Sequence, residues 1–200
     1  MTHGQLATVI ARAISVAGHP LVLTPVAGLA AWVAGGGAQS EARGIAIAGV
    51  LAVAVVMGYS FQRVRSGAWA HVDASGRGER RSLNRFLLAA FVAAASAGLA
   101  LQWPPPATLG LLLSASIVAS AMLAARWCKT SLHVAFAMFS AALLYAVSAW
   151  AVAAGLLAAL AIAWSRLCLR RHVCADLWCG AAIGAAAGAG FWIGLRWWGG

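Results

Sequence analysis

Ser165-Arg166-Leu167-Cys168-Leu169-Arg170-Arg171-His172-Val173-Cys174-Ala175-Asp176 forms a polar joint between two apolar runs, 152–169 and 172–196, each long enough to cross a bilayer as a helix. His172 and Asp176 stand four residues apart, so on a helix they share a face and the carboxylate can hold the imidazole in one tautomer. Arg166, Arg170 and Arg171 lie within the six residues upstream. An imidazole, an orienting acid and guanidinium groups together suit phosphoryl chemistry.

Outward from this joint the chain is strongly apolar. Of 200 residues, 63% are hydrophobic and 9% are charged, a balance that excludes an ordinary soluble domain. Apolar runs and Gly/Pro breaks mark seven candidate crossings: 6–34, 43–62, 84–102, 107–126, 132–150, 152–169 and 172–196. The reading is all-α: one integral membrane domain over 1–200, a polytopic bundle of six or seven transmembrane helices. The first run carries Arg12 and the pair His19-Pro20 and lacks a cleavable leader pattern, so it reads as a retained first helix. Trp69, Trp103, Trp127, Trp150 and Trp164 fall near segment ends, where amphipathic rings favour the headgroup layer.

A net charge of +10 would suggest nucleic acid in a soluble protein. Here the cations lie between membrane segments, so topology and anionic headgroups explain them, and no nucleic-acid partner is expected. Cys128, Cys168, Cys174 and Cys179 show no paired CxxC spacing and read as buried free thiols. Gly180, Gly184 and Gly188 recur every four residues, a pattern for close helix packing within the chain.

Polar residues gather at three places. Residues 63–85 hold six Arg with Asp73 and Glu79; residues 126–133 hold Arg126, Lys129, Ser131 and His133; the third is 165–176. Two crossings separate each cluster from the next, so the chain returns to the same membrane face each time and all three can meet. Eleven of the fourteen basic residues then share that face, which the positive-inside rule assigns to the cytoplasm.

Phosphate-ester cleavage without a metal needs a nucleophile, a proton donor for the leaving oxygen, and cations around the phosphoryl oxygens. His172, oriented by Asp176, can attack phosphorus. His133 can protonate the leaving alkoxide and later activate water. Arg80, Arg166 and Lys129 can cradle the phosphate, with Ser131 adding a donor. Outside His172 and Asp176 no close pair of ligands has zinc or magnesium spacing, so no metal and no other cofactor is expected.

Ser165, Arg166, His172 and Asp176 together fit SR-x5-H-x3-D, and the chain in this respect resembles the type 2 phosphatidic acid phosphatase family. Those membrane lipid phosphatases share a fold with vanadium haloperoxidases and bacterial acid phosphatases. The resemblance implies that His172 is the nucleophile and that Arg166 binds phosphate. Thr130-Ser131-Leu132-His133 is similar to the family's PSGH, keeping Ser and His, which implies the acid role for His133. Asp73-x6-Arg80-Arg81 resembles K-x6-RP, keeping Arg80 but placing Asp73 where the family has Lys. Lys129, the chain's single Lys, or Arg77 can replace that cation, and Asp73 can instead hold Arg80 or Arg77 as a bidentate partner. The motifs span 73–176, and the motif-bearing core about 63–196 is expected to be haloperoxidase-like.

The resemblance implies a multi-pass protein of a bacterial inner membrane, where many relatives work from the outer side. The function expected is a metal-independent phosphatase forming a phosphohistidine on a lipid phosphate: phosphatidate, phosphatidylglycerophosphate, or a polyprenyl phosphate or diphosphate. The competing reading is a non-catalytic phosphate-lipid-binding or transport protein with a degenerate site. Arg170 and Arg171 read as topology determinants, and Arg63, Arg65 and Arg85 as headgroup anchors. Glu79 is placed to pair with a neighbouring Arg, and His71 reads as interfacial. His19 beside Pro20 reads as a kink with a locally satisfied imidazole.

Overall fold

The structure, a computed structural model, describes residues 3–70, 74 and 76–198. The described chain is helical: α1 His3–Ala17, α2 Pro20–Ala34, α3 Gln39–Arg65, α4 Arg77–Ala100, α5 Pro105–Ala124, α6 Leu132–Leu143, α7 Ala149–Cys168 and α8 Cys174–Trp198. A 3₁₀ turn, Leu144–Ala146, extends α6. Among the described residues, α3, α4, α5, α7 and α8 are each long and apolar enough to cross a membrane, and α1 with α2 adds a sixth span if the bent pair counts as one. The protein is therefore a multi-pass helical membrane bundle.

Two of the expected crossings take a different form. The run 6–34 is not one helix: its axis bends by 51° between Ala17 and Pro20. Pro20 has no N–H to donate and opens α2 at its first position, while His19 caps that helix with its Nδ1. The run 132–150 is the short α6 plus its 3₁₀ turn. Most of α6 is buried, including Val134, Ala135, Phe136, Phe139 and Leu143, because α2, α5, α7 and α8 surround it. A helix apolar on all sides belongs inside the bundle, and there its length need not match the bilayer.

The approach of α8 to α6 sets the position of everything polar at their starts. A Cβ on Gly180 would meet the Ser131 carbonyl oxygen at 2.6 Å, one on Gly184 would collide with the Ala135 carbonyl, and one on Gly188 with Ala142. The glycine stripe is thus used within the chain, backbone against backbone. The successive pairs advance together, so α6 and α8 run parallel and both begin at the same face. Thr24 Oγ1 meets Ser140 Oγ at 3.0 Å as His19 meets His133, so α2 runs parallel to them too.

At the same face α7 ends, in a Schellman turn. Arg171 N–H donates to the Arg166 carbonyl at 3.0 Å and Arg170 N–H to that of Leu167 at 2.9 Å, with Arg170 left-handed at φ 51°. The turn directs the chain from Arg166 back across to His172.

Candidate functional site

Asp176 is the knot of the site. It occupies the first turn of α8, where a carboxylate is favoured by the helix dipole, and it is 6% exposed. Its Oδ2 accepts the Val173 N–H at 3.2 Å, closing the start of α8, and its Oδ1 accepts the Lys129 N–H at 2.9 Å. Its backbone carbonyl accepts the Ser131 N–H at 3.2 Å. One residue thereby ties the segment leading into α6 to the start of α8.

His172 hangs from the same knot. Its Nδ1 lies 3.0 Å from the Lys129 carbonyl oxygen and 3.3 Å from Asp176 Oδ2. Both partners accept only, so Nδ1 carries the proton and donates, and the Nε2 lone pair is left open. Burial, then the Arg166 charge, pulls the His172 pKa down to about 4, against the opposing hydrogen bond that His172 donates to Asp176. With that pKa the ring is neutral at pH 7 and its Nε2 lone pair is open, which equips it chemically for either nucleophilic attack or proton transfer.

Cations surround this imidazole. Arg77 and Arg80 from the first turn of α4, Lys129, Arg166 from the last turn of α7, and Arg171 all line one cavity with His133 and His172. Burial, then the charge of Arg80, lowers the Lys129 ammonium from its ordinary value, with Arg166 and Arg171 adding to the effect and Asp176 offsetting it. Lys129 Nζ donates to the Arg171 carbonyl at 2.7 Å, and Arg166 Nη1 to Ser15 Oγ at 2.8 Å. Positive charges gathered along one cavity wall favour an anion beside them.

The cavity has a volume of about 2920 Å³ and extends from these cations into the bundle between α2, α3, α4 and α5. Pro25, Leu87, Phe91, Phe136 and Phe139 line its length, and Trp32 and Trp103 its far end. α3 packs chiefly on α2 and meets α4 near the site, where Tyr59 bonds Ser82 at 2.8 Å and stacks on Phe86. The space between those contacts is left open along the helices.

Members of all three sequence clusters share this cavity, namely Arg77 and Arg80, Lys129 and His133, and Arg166 and His172; the charge of Arg80 acts on Lys129, and Asp176 is bonded to the Lys129 N–H. Two expected contributors lie elsewhere. Ser131 is fully buried beneath Gly180, its hydroxyl without a partner and off the cavity wall, so its expected part as a side-chain phosphate donor is not met here. Ser165 is fully buried and donates to the Ile162 carbonyl at 2.7 Å within α7. Asp73 and His71 lie outside the described residues. Glu79 accepts from the backbone of Ala70 and Gly76, both at 2.7 Å, closing the turn before α4.

The expectation for the thiols is corrected in part. Cys128 and Cys179 meet sulfur to sulfur as a disulfide pair, tying the residue before Lys129 to α8. Cys168 and Cys174 are free but exposed rather than buried. Trp69, expected at the headgroup layer, is buried against Tyr59. Among the described residues no group of three or more His, Cys, Asp and Glu gathers as a metal site.

Sequence reading also missed two neighbours. His19 stands edge-on to His133, ring centroids 5.1 Å apart, and Ser15 holds Arg166. The Pro-marked break inside an apolar run was the available signal. The chain matches no family model, and no curated protein or solved structure matches it.

Proposed function

We propose that the protein is a metal-independent phosphatase of membrane lipid phosphates, working through a phosphohistidine at His172. The observation that carries the reading is the pair of acceptors on His172 Nδ1, which leaves Nε2 unprotonated beside a cluster of cations. Its chemistry follows in two steps. The negative charge of the bound phosphate favours protonation of His133; His172 Nε2 attacks phosphorus, the bond from phosphorus to the ester oxygen breaks, and His133 gives that proton to the leaving alkoxide. Water then attacks the phosphohistidine, His133 takes the water proton, the N–P bond breaks, and inorganic phosphate departs.

Arg80, Arg166 and Lys129 supply positive charge where the phosphoryl oxygens gather negative charge. The apolar cavity continuous with them favours a substrate whose chains remain among helices while its headgroup reaches the cations. That supports a lipid-borne phosphate over a soluble one. The resemblance of Ser165 to Asp176 to the type 2 phosphatidic acid phosphatase motif points to the same chemistry.

The test is phosphate release from phosphatidate and polyprenyl phosphate by purified protein in detergent with EDTA. Wild type is expected to turn over and to be inhibited by vanadate, and His172→Ala to be inactive. Lipid-phosphate binding without turnover, unaltered by His172→Ala, would establish the binding or transport reading in its place.

A further inference from the structure

Where α1 gives way to α2, the chain turns into the site. A Cβ on Gly18 would meet Ile162 Cγ1 at 2.5 Å, so the missing side chain lets this corner press against α7, one turn before Arg166. Ser15, buried one turn earlier, accepts a hydrogen bond from Arg166 Nη1 at 2.8 Å. His19 follows four residues on, and its ring meets that of His133 at 84°.

The cap alone does not explain a histidine at position 19. Its Nδ1 accepts the Leu21 N–H at 3.2 Å, a task that Asn, Asp or Ser performs at least as well. That bond does, however, fix the tautomer. With Nδ1 accepting, the neutral ring carries its proton on Nε2, and the plane of the imidazole is held against His133. The same short corner thus touches both the guanidinium and the imidazole that the proposed reaction requires.

We propose that the α1–α2 corner is a working wall of the phosphate site, in which His19 is a positioning residue for His133 and Ser15 a positioning residue for Arg166. This rests on the phosphatase reading above and adds to it two groups from the N-terminal helices. The charged or titratable groups facing His133 are Arg166 from α7, His19 from the corner and His172 from the loop before α8. A change at His19 is therefore transmitted to His133 against a background that the other two hold constant.

His19→Asn keeps a strong helix cap while removing the imidazole, and separates the two roles. In a detergent assay it is expected to melt with wild type, to keep KM, to lose about tenfold or more in kcat, and to shift the limb of the pH profile that reports the acid. Ser15→Ala is expected to keep kcat while raising KM and the vanadate inhibition constant about tenfold, with Ser15→Thr restoring both. Deuterium exchange at the His133 ring carbon, followed by mass spectrometry, needs no turnover and should be faster in His19→Asn. Wild-type kinetics, pH profile and exchange rate in His19→Asn would overturn the proposal and leave His19 a cap. The phosphatase reading fails separately, through an inactive wild type or an active His172→Ala, and the exchange measurement, which needs no turnover, then still decides whether His19 acts on His133.

Discussion

Lys129 and His172 are joined through the main chain of the first and the side chain of the second: the Lys129 carbonyl accepts from His172 Nδ1 at 3.0 Å while the Lys129 N–H donates to Asp176 at 2.9 Å. The peptide units flanking Lys129 are thus used on both sides, and rotation of the imidazole would give up both the Lys129 carbonyl and Asp176 Oδ2. Orientation of His172 is in this way coupled to the register between the segment before α6 and the start of α8.

Asp176→Asn breaks that coupling with almost no change in volume. The carboxylate accepts from Lys129, Val173 and His172, whereas an amide offers one oxygen and turns an NH₂ toward at least one of those donors. The expected result is a loss of about 10²-fold or more in kcat, with a fall in stability of about 1–3 kcal/mol from the unsatisfied donor. Thermal melts and phosphate release on the same preparation check both.

The pH profile offers an independent check. With its pKa depressed to about 4, His172 in the free enzyme stays deprotonated at Nε2 through the mildly acidic range and is lost as nucleophile only as pH falls through that value. The acid limb of kcat/KM should accordingly lie well below the ordinary imidazole value of about 6.5. Arg166→Gln removes the second cause of the depression but leaves burial, the first, in place. That limb should therefore move upward without reaching the ordinary value, and an unmoved or lowered limb would contradict the assignment.

Much of this site is legible in the sequence because its determinants are local. The pairing of His172 with Asp176 is legible from their spacing although His172 stands in the loop just before α8 rather than on a helical face, and counting apolar runs is enough to return Arg80, His133 and Arg166 to one face. The corner at His19 is not legible in that way. Ser15 and Arg166 are 151 positions apart, and a break inside an apolar run has no periodicity to disclose what it touches. Ser131 illustrates a further limit: its position beside His133 in the sequence says nothing of Gly180, whose missing side chain lets α8 bury it. The brevity of α6 also follows from enclosure by four helices, a tertiary fact with no counterpart in hydropathy.

Arg170 supplies a prediction about stability rather than chemistry. It holds the left-handed position of the turn that ends α7, at φ 51°, where a side chain costs roughly 1–2 kcal/mol relative to glycine. Arg170→Gly should melt at or above the wild-type temperature and keep its activity. Arg170→Val, β-branched at the same angle, should melt lower, and equal melting of the two variants would contradict this account of the turn.

The cysteines can be counted directly. Alkylation of the unreduced, detergent-denatured protein should modify Cys168 and Cys174, and reduction should release Cys128 and Cys179 for modification. Four modified thiols before reduction would show the pair unbonded in the preparation examined.

The glycines of α8 separate packing from mere composition. At Gly184 an added Cβ would collide with the Ala135 carbonyl, a backbone atom that cannot turn aside, so Gly184→Ala must push α8 away from α6. Because Asp176 begins α8 and Lys129 leads into α6, the displacement should loosen the hydrogen bonds that orient His172. A loss of about 1–3 kcal/mol is expected, as for overpacking elsewhere, with a fall in kcat beyond any fall in the amount of folded protein. At Gly110, which lines the cavity, an added Cβ meets nothing within 4 Å. Gly110→Ala should therefore melt at or slightly above wild type, since the substitution also favours the helix. Melting curves and specific activity of the two variants side by side test the claim, and equal effects from both would show that the α6–α8 approach does not hold the site together.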